Sequence, residues 1–367
     1  MSTTEDAFPT DYAHILEAID AVDPVRYSHS RNFADGAVTR LSPYLSRGVI
    51  STRTVMESML RRDLEWPKVE KLIQELAWRD YWQQVWCAKG DAIDEDLKHP
   101  QQDVSNGDLP AAIDAARTGI DAVDTAIDEL YRTGYMHNHM RMYVAAIACN
   151  QARSHWRSPA RWMYYHLLDG DWASNALSWQ WVAGANANKK YIANQDNINR
   201  FFYSTQRGTF LDTDYETLAE LPTPEVLKEL CSPGYTTTLP QRHRPELDNR
   251  RPTLIYNYYN LDPTWRKDED VNRILLLEPS VFERYPVADR NIEFVLRLSD
   301  NIPGIQVVTA EFDQLAAWTE NSEIVYKEHP LNRHYRGMVD EREWMSDVTG
   351  YFPSFFAFWK RCKKRIG

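Results

Sequence analysis

Cysteine is scarce in this chain of 367 residues, and long apolar runs are missing. Cys87, Cys149, Cys231 and Cys362 stand far apart without any C-x-x-C spacing, which argues against zinc, an iron–sulfur cluster or a disulfide framework. Four free thiols and no metal are expected. No stretch approaches the length needed to span a bilayer, and residues 1–11 are polar and acidic, unlike a signal peptide. These absences predict a cytoplasmic protein without a membrane partner. Neither G-x-G-x-x-G nor a Walker A loop occurs, so the usual phosphate cradles are missing as well.

Positive charge is also in short supply, with 42 Lys and Arg against 53 Asp and Glu and a formal net charge of −11. That balance disfavours a protein that coats nucleic acid, because phosphate contacts need local positive charge. A local basic face is still compatible with it. Lys189, Lys190, Arg200 and Arg207 are opposed nearby only by Asp196, and Arg153, Arg157 and Arg161 cluster upstream. A solvated helix surface accounts for the same pattern equally well.

What the chain does have is helical periodicity from Tyr12 to about Tyr203, as in Val69-Leu72-Ile73-Leu76 and Ile113-Ile120-Val123-Ile127-Leu130. Prolines then punctuate residues 222–252, which read as an extended connector. Beyond it, residues 253–257, 273–277, 305–309 and 323–326 read as short buried strands, with a helical pattern over 289–298 between them. The fold expected is mainly α: an all-helical domain over 1–221, the connector, and a small Rossmann-like α/β domain over 253–367. An aromatic helix over 352–359 ends in Lys360, Arg361, Lys363, Lys364 and Arg365, cations placed to complement a helix C-terminus.

Four short segments carry unusual residue mixtures. In 167–181 two acids, an amide and three indoles crowd together, and a helix would set Asp171, Asn175 and Trp179 in one row at i, i+4 and i+8. Such a row suits a redox cofactor better than a lipid or a core. At 38–48, small hydroxylated residues and Arg40 precede Pro43 and a helix, an arrangement able to bind an anion. In 74–82, Glu75, Trp78, Arg79 and Trp82 fall on one helical face, a mixture odd for a core and useful for a flipped base. In 133–142, Asn138 and Arg141 share a face, whereas His137 and His139 point apart and do not make a metal pair.

Taken in order over roughly residues 23–210, these segments resemble the cryptochrome/photolyase family, and cyclobutane pyrimidine dimer photolyases in particular. The resemblance implies non-covalent FAD, with its pyrophosphate at Val38, Thr39, Arg40, Leu41 and Ser42 and with Tyr27 against the cofactor. It places Asn175 near flavin N5, and Asp169, Asp171, Arg79, Asn138 and Arg141 around the flavin, Arg141 pairing an acid such as Asp169. Glu75 would hydrogen-bond a pyrimidine dimer, Trp78 and Trp181 would stack on it, and Met142 would touch it. Damaged DNA, single- or double-stranded, is the implied partner, and light-driven electron transfer from reduced FAD is the implied reaction.

Two departures qualify the match. Trp179 and Trp156 correspond to the first two members of the family's Trp relay, but residues 109–117 hold no aromatic side chain where the third is expected. The relay would then end on another ring such as Trp162, Tyr164 or Trp172. Family members usually begin with an α/β antenna domain, while here the α/β-like segment follows the helical one, and an antenna chromophore is not implied. A cryptochrome-type photoreceptor is the rival expectation, and retention of Glu75, Trp78, Met142 and Trp181 favours repair over it.

Overall fold

The computed structural model describes residues 7–241, 243–320 and 322–366. Most of the chain signature at residues 1–6, read above as a polar lead, lies outside the described residues. Two compact units organise the chain, and neither is one continuous stretch. Among the described residues, the first comprises Ala7, 23–38 and 88–234, and the second comprises 8–22, 39–87 and those from 235 to 366. This grouping differs from a linear division at residue 221, because the helix Trp66–Lys89 carries an aromatic face that packs against the C-terminal segment.

The first unit is helical. Helix Asp121–Thr133 buries Val123, Ile127 and Leu130, the apolar row that its spacing predicts, and ends on Gly134 in the left-handed conformation. Helix Asn138–Ala146 runs into a π turn, Ile147–Gln151. Helices Arg157–His166 and Trp172–Ala183 follow, and Leu168 N–H bonds back to the Gly134 carbonyl. The prolines of the connector conceal one piece of regular structure: β2 (Leu230–Cys231) pairs antiparallel with β1 (Leu109–Pro110). The pairing ties the end of this unit to its interior.

The second unit holds a five-stranded, fully parallel sheet. Its strands are β3 (Thr253–Tyr256), β4 (Asn272–Leu277), β5 (Ile305–Thr309), β6 (Ile324–Lys327) and β7 (Met338–Asp340), in the order β5-β4-β3-β6-β7. Register is fixed by pairs such as Ile255 with Ile274, Leu275 with Val307 and Val325 with Met338. Strand order reverses beside β3, as in Rossmann-like sheets. The expected strands and the helix Asp289–Ser299 are present; β7 is additional, and its exposed Met338-Val339 pair is too short an apolar run to announce a strand. Ile255, Ile274, Leu276, Val308, Phe312 and Leu315 form the core of this region.

The remainder of this unit builds on the sheet's edges and on the helix Trp66–Lys89. Leu261 N–H donates to the Arg47 carbonyl, and the buried Arg47 guanidinium lies 3.7 Å from the centre of the Tyr258 ring. Gly48, at φ 63°, is required there: a Cβ would come within 2.4 Å of the Tyr259 carbonyl oxygen.

Candidate functional site

The site residues named from sequence divide between the two units. In the first unit, Asp171 caps the helix Trp172–Ala183, its carboxylate accepting the Ser174 N–H at 2.7 Å. That cap aligns four orphan amides with an acid at the positive end of the helix. Gly170 before it has no room for a side chain, since a Cβ would meet the Leu167 and Tyr164 carbonyl oxygens at 2.9 and 3.0 Å. The Asp-Gly-Asp turn therefore sets Asp169 and Asp171 on either side of a tight bend.

Asp169 is buried and accepts a hydrogen bond from the Arg141 guanidinium at 2.9 Å, the pairing expected from the sequence. Arg141 also donates through Nε to the Met136 carbonyl at 2.8 Å, so both ends of its head group are anchored. Asn175 donates its amide N–H to the Ala160 carbonyl at 2.8 Å. With the nitrogen so engaged, Oδ1 is the end of the amide turned to other partners, and it is an acceptor. The buried Ser174 Oγ, one residue earlier, has no hydrogen-bond partner among the described residues. An acceptor amide, an ionic pair and an unsatisfied hydroxyl fit the polar edge of an isoalloxazine ring, which offers both donors and acceptors.

Other residues of this unit are placed less centrally. Asn138 opens its helix in an exposed position, Met142 and Tyr27 are half-buried, and Val38 is partly buried at the end of the segment 23–38. His137 caps the same helix, its ring accepting the His139 N–H, and burial lowers the His139 pKa below the ordinary imidazole value. Among the described residues no group of three metal-binding side chains comes together. Trp181 is 37% exposed and leans on Tyr191 at 5.9 Å between ring centres.

The relay candidates are all buried. Trp179 and Trp156 are almost wholly enclosed, and Trp156 donates its indole N–H to the Asp96 carboxylate at 2.7 Å. Trp172 donates to Asp94 at 2.6 Å and Trp162 to the Tyr131 hydroxyl at 2.8 Å. A carboxylate on an indole N–H stabilises positive charge on that ring. Asp94 and Asp96 were invisible to motif reasoning, because no fixed spacing links them to the tryptophans they serve.

In the second unit, Leu41 is buried, Arg40 adopts a left-handed φ of 53°, and Thr39 Oγ1 accepts the Leu41 N–H at 3.3 Å. The short helix Ser42–Ser46 follows. Arg79, on the helix Trp66–Lys89, donates to Ser46 Oγ, which brings that cation beside the 39–46 segment. The fold thus brings Arg79, expected around the flavin, beside the hydroxyls of the segment expected to meet an anion, while Arg40, the cation expected there, is exposed.

Glu75 forms an ion pair with Lys71 at 2.7 Å. Trp78, read as a base-stacking ring, lies against Phe355 at 3.6 Å with only 9° between the planes, and its edge faces Phe356. Phe355 belongs to the aromatic helix expected over 352–359, but nothing in the sequence linked it to Trp78. Three of the seven cations named for a basic face are paired with acids: Lys190 with Asp103, Arg207 with Asp196 and Asp212, and Arg157 with Glu95. Asp103 and Glu95 are distant in sequence from the cations they meet, whereas Asp196 and Asp212 lie near Arg207.

Comparison with known proteins bears directly on this arrangement. Residues 72–229 match the family described as the FAD binding domain of DNA photolyase. The chain is 32% identical over 217 residues to a deoxyribodipyrimidine photo-lyase of Halobacterium salinarum, covering 56% of this chain and 44% of that protein. It is 36% identical over 155 residues to one of Streptomyces griseus, covering 42% and 33% respectively. A solved bacterial class III photolyase from Agrobacterium tumefaciens is similar at 28% identity and a TM-score of 0.45, over 52% of this chain and 44% of that one. The matched part spans less than half the length of each of these relatives. Over residues 72–229, then, the chain is similar to the FAD binding domain of DNA photolyase, and FAD is the cofactor that this match supports.

Proposed function

We propose that this protein is a blue-light-dependent DNA repair enzyme that splits cyclobutane pyrimidine dimers. The observation that carries the reading is the ordered set Asp169, Arg141, Ser174 and Asn175 within the matched FAD-binding domain. Held by these residues, reduced FAD would on excitation by light lend one electron to the dimer and regain it once the ring bonds had broken, with no net redox change.

The protein's residues then have positional and electrostatic duties. Asn175 Oδ1 would accept a hydrogen bond from a ring N–H of the cofactor, and the Ala160 carbonyl keeps the amide from turning. The Arg141–Asp169 pair holds a fixed charge arrangement beside the ring at no cost of reorganisation. Tyr27, Val38, Thr39, Arg40, Leu41, Ser42, Asp171, Asn138 and Arg79 are assigned to cofactor binding. Glu75, as a carboxylate, accepts a hydrogen bond from a pyrimidine N–H, while Trp78 and Trp181 offer stacking surfaces and Met142 a soft apolar contact. A damaged, poorly stacked pair leaves the duplex at lower cost than an intact one, which gives such a pocket its selectivity. Trp179 and Trp156 deliver electrons to the cofactor from outside, and the indole bond to Asp96 favours a transient positive charge on Trp156.

A second reading, a cryptochrome-type flavin photoreceptor, is favoured by one observation: Phe355 covers a face of Trp78 that a lesion would use. The deciding experiment is blue-light repair of a defined thymine dimer in an oligonucleotide by chemically reduced, FAD-loaded protein without oxygen, with a dark control. Light-dependent recovery of intact thymines is the expected result. No repair despite bound, reduced FAD overturns the enzyme reading and leaves the photoreceptor.

A further inference from the structure

The C-terminal helix Phe355–Ile366 has two unlike faces. Its inner face buries Phe355, Phe358, Trp359 and Cys362. Phe355 lies on Trp78, while Lys363 reaches Glu70 at 2.6 Å and sits over the Trp66 ring, so the helix runs antiparallel along Trp66–Lys89. Its outer face carries Phe356, Lys360 and Lys364 at i, i+4 and i+8, all exposed.

That outer row is not explained by packing. Phe356 is 69% exposed, the most exposed of the large apolar side chains among the described residues. Lys363 already pairs with Glu70, Arg365 approaches Asp347 at 3.6 Å, and Arg361 lies over the Phe352 ring. Lys360 and Lys364 have no hydrogen-bond or ion-pair partner among the described residues. From Val348 to the end of the chain there is no acid, in a protein whose overall charge is −11. A helix that only needed its C-terminal dipole compensated has Lys363 and Arg365 for that purpose.

We propose that this helix is a nucleic-acid docking element, with Phe356 stacking on a base and Lys360 and Lys364 holding flanking phosphates. An aromatic ring followed by cations along one row matches the repeat of a single strand, in which a base and its phosphates are displayed side by side. Phe356 meets Trp78 at 6.5 Å and Phe355 at 5.4 Å between ring centres, both T-shaped, so it sits at the outer rim of that aromatic cluster with its own faces not taken up by a parallel stack. A membrane surface is the poorer partner: the apolar face of the helix, which would have to enter lipid, is already spent on Trp66–Lys89. The identification of the strand as DNA rests on the repair reading; the chemistry of the row does not.

The test uses the full-length, FAD-loaded protein and a fluorescent single-stranded oligonucleotide, with and without a thymine dimer, followed by anisotropy across a salt series. Lys360→Ala/Lys364→Ala is expected to weaken binding to both oligonucleotides by about tenfold and to reduce the slope of log affinity against log salt by about 1.4, two phosphate contacts at ~0.7 each. Lys360→Arg/Lys364→Arg should restore the slope. Phe356→Ala is expected to weaken binding by roughly tenfold with the slope unchanged, since a stack and not a charge is lost. All three positions face solvent, so thermal melting and FAD content should match the parent. Unchanged affinity and slope in the double alanine variant overturn the proposal, as does a loss confined to binding of vesicles containing anionic lipid. Dimer repair by a parent protein whose binding ignores both substitutions refutes the helix and keeps the enzyme; lysine-dependent binding without repair does the reverse.

Discussion

Helix Trp172–Ala183 and helix Trp66–Lys89 carry comparable mixtures of acid, polar or cationic group and indole, yet their surroundings are opposite. On the first, Asp171 caps its own helix, Asn175 reaches the carbonyl of the preceding helix, and Asp169 meets Arg141. These contacts join elements close in sequence, and in the proposed function the Asn175 amide oxygen is the acceptor left for the cofactor. On the second, Trp78 lies flat against Phe355 and Glu70 is paired by Lys363, both contributed by the far end of the chain. A residue mixture that looks functional can thus be held by its neighbours in sequence in one place and by a distant segment of the chain in another. Only the partners tell the two apart.

The contrast breaks most readily at Phe355. Phe355→Ala removes a buried ring and should cost about 4 kcal/mol, within the usual range for Phe to Ala in a core, read by urea unfolding. It should also uncover one face of Trp78, raising affinity for a dimer-containing oligonucleotide at a temperature where the variant is still folded. A stability loss below about 1 kcal/mol would show that the stack is not a packing contact at all.

Asp80 sharpens the same side of the comparison. Buried in the helix Trp66–Lys89, it accepts hydrogen bonds from Thr52 Oγ1 and Met345 N–H, and burial pushes its pKa up to about 6 against those partners. The folded chain therefore holds this proton through a window, ~4 to ~6, in which the unfolded chain has released it, and stability falls as pH rises across that window. About two pH units correspond to on the order of 3 kcal/mol. Asp80→Asn has no such proton to lose, so its stability relative to the parent should improve by that amount between pH ~4 and pH ~7. The lost Met345 contact adds a constant offset at both values. Equal pH profiles for parent and variant would contradict a raised Asp80.

How much of this was legible in the sequence follows from distance along the chain. The cap at Asp171 and the left-handed Gly184 closing its helix are local, and they are readable as a turn chemistry. The Arg141–Asp169 pair came from the resemblance, and the structure places it at 2.9 Å. β3, β4, β5 and β6 were announced by apolar, branched runs, whereas β7 sits at an exposed edge where no such run is required. The grouping of 39–87 with 235–367 had no local signature. Neither did Phe355 over Trp78 nor Asp96 beneath Trp156, because each depends on chain segments that only the tertiary fold brings together. Between the basic face and the solvated surface left open for residues 189–207, Asp103 on Lys190 is a tertiary partner of the same kind, while Asp212 on Arg207 is local.

The smallest change tests the other helix. Asn175→Asp keeps the shape of the side chain but replaces the N–H that donates to the Ala160 carbonyl with a carboxylate oxygen facing it. The lost bond alone should cost about 1 kcal/mol. The effect on the cofactor should be out of proportion to that cost, since a neutral acceptor fixed beside the ring becomes a negative charge, and the redox form of FAD that persists under illumination should change. Absorption spectra recorded through photoreduction check it. A variant destabilised as expected but with parental spectra would mean that Asn175 serves the contact between its helix and Arg157–His166 and nothing beyond it, which would make the two helices alike after all.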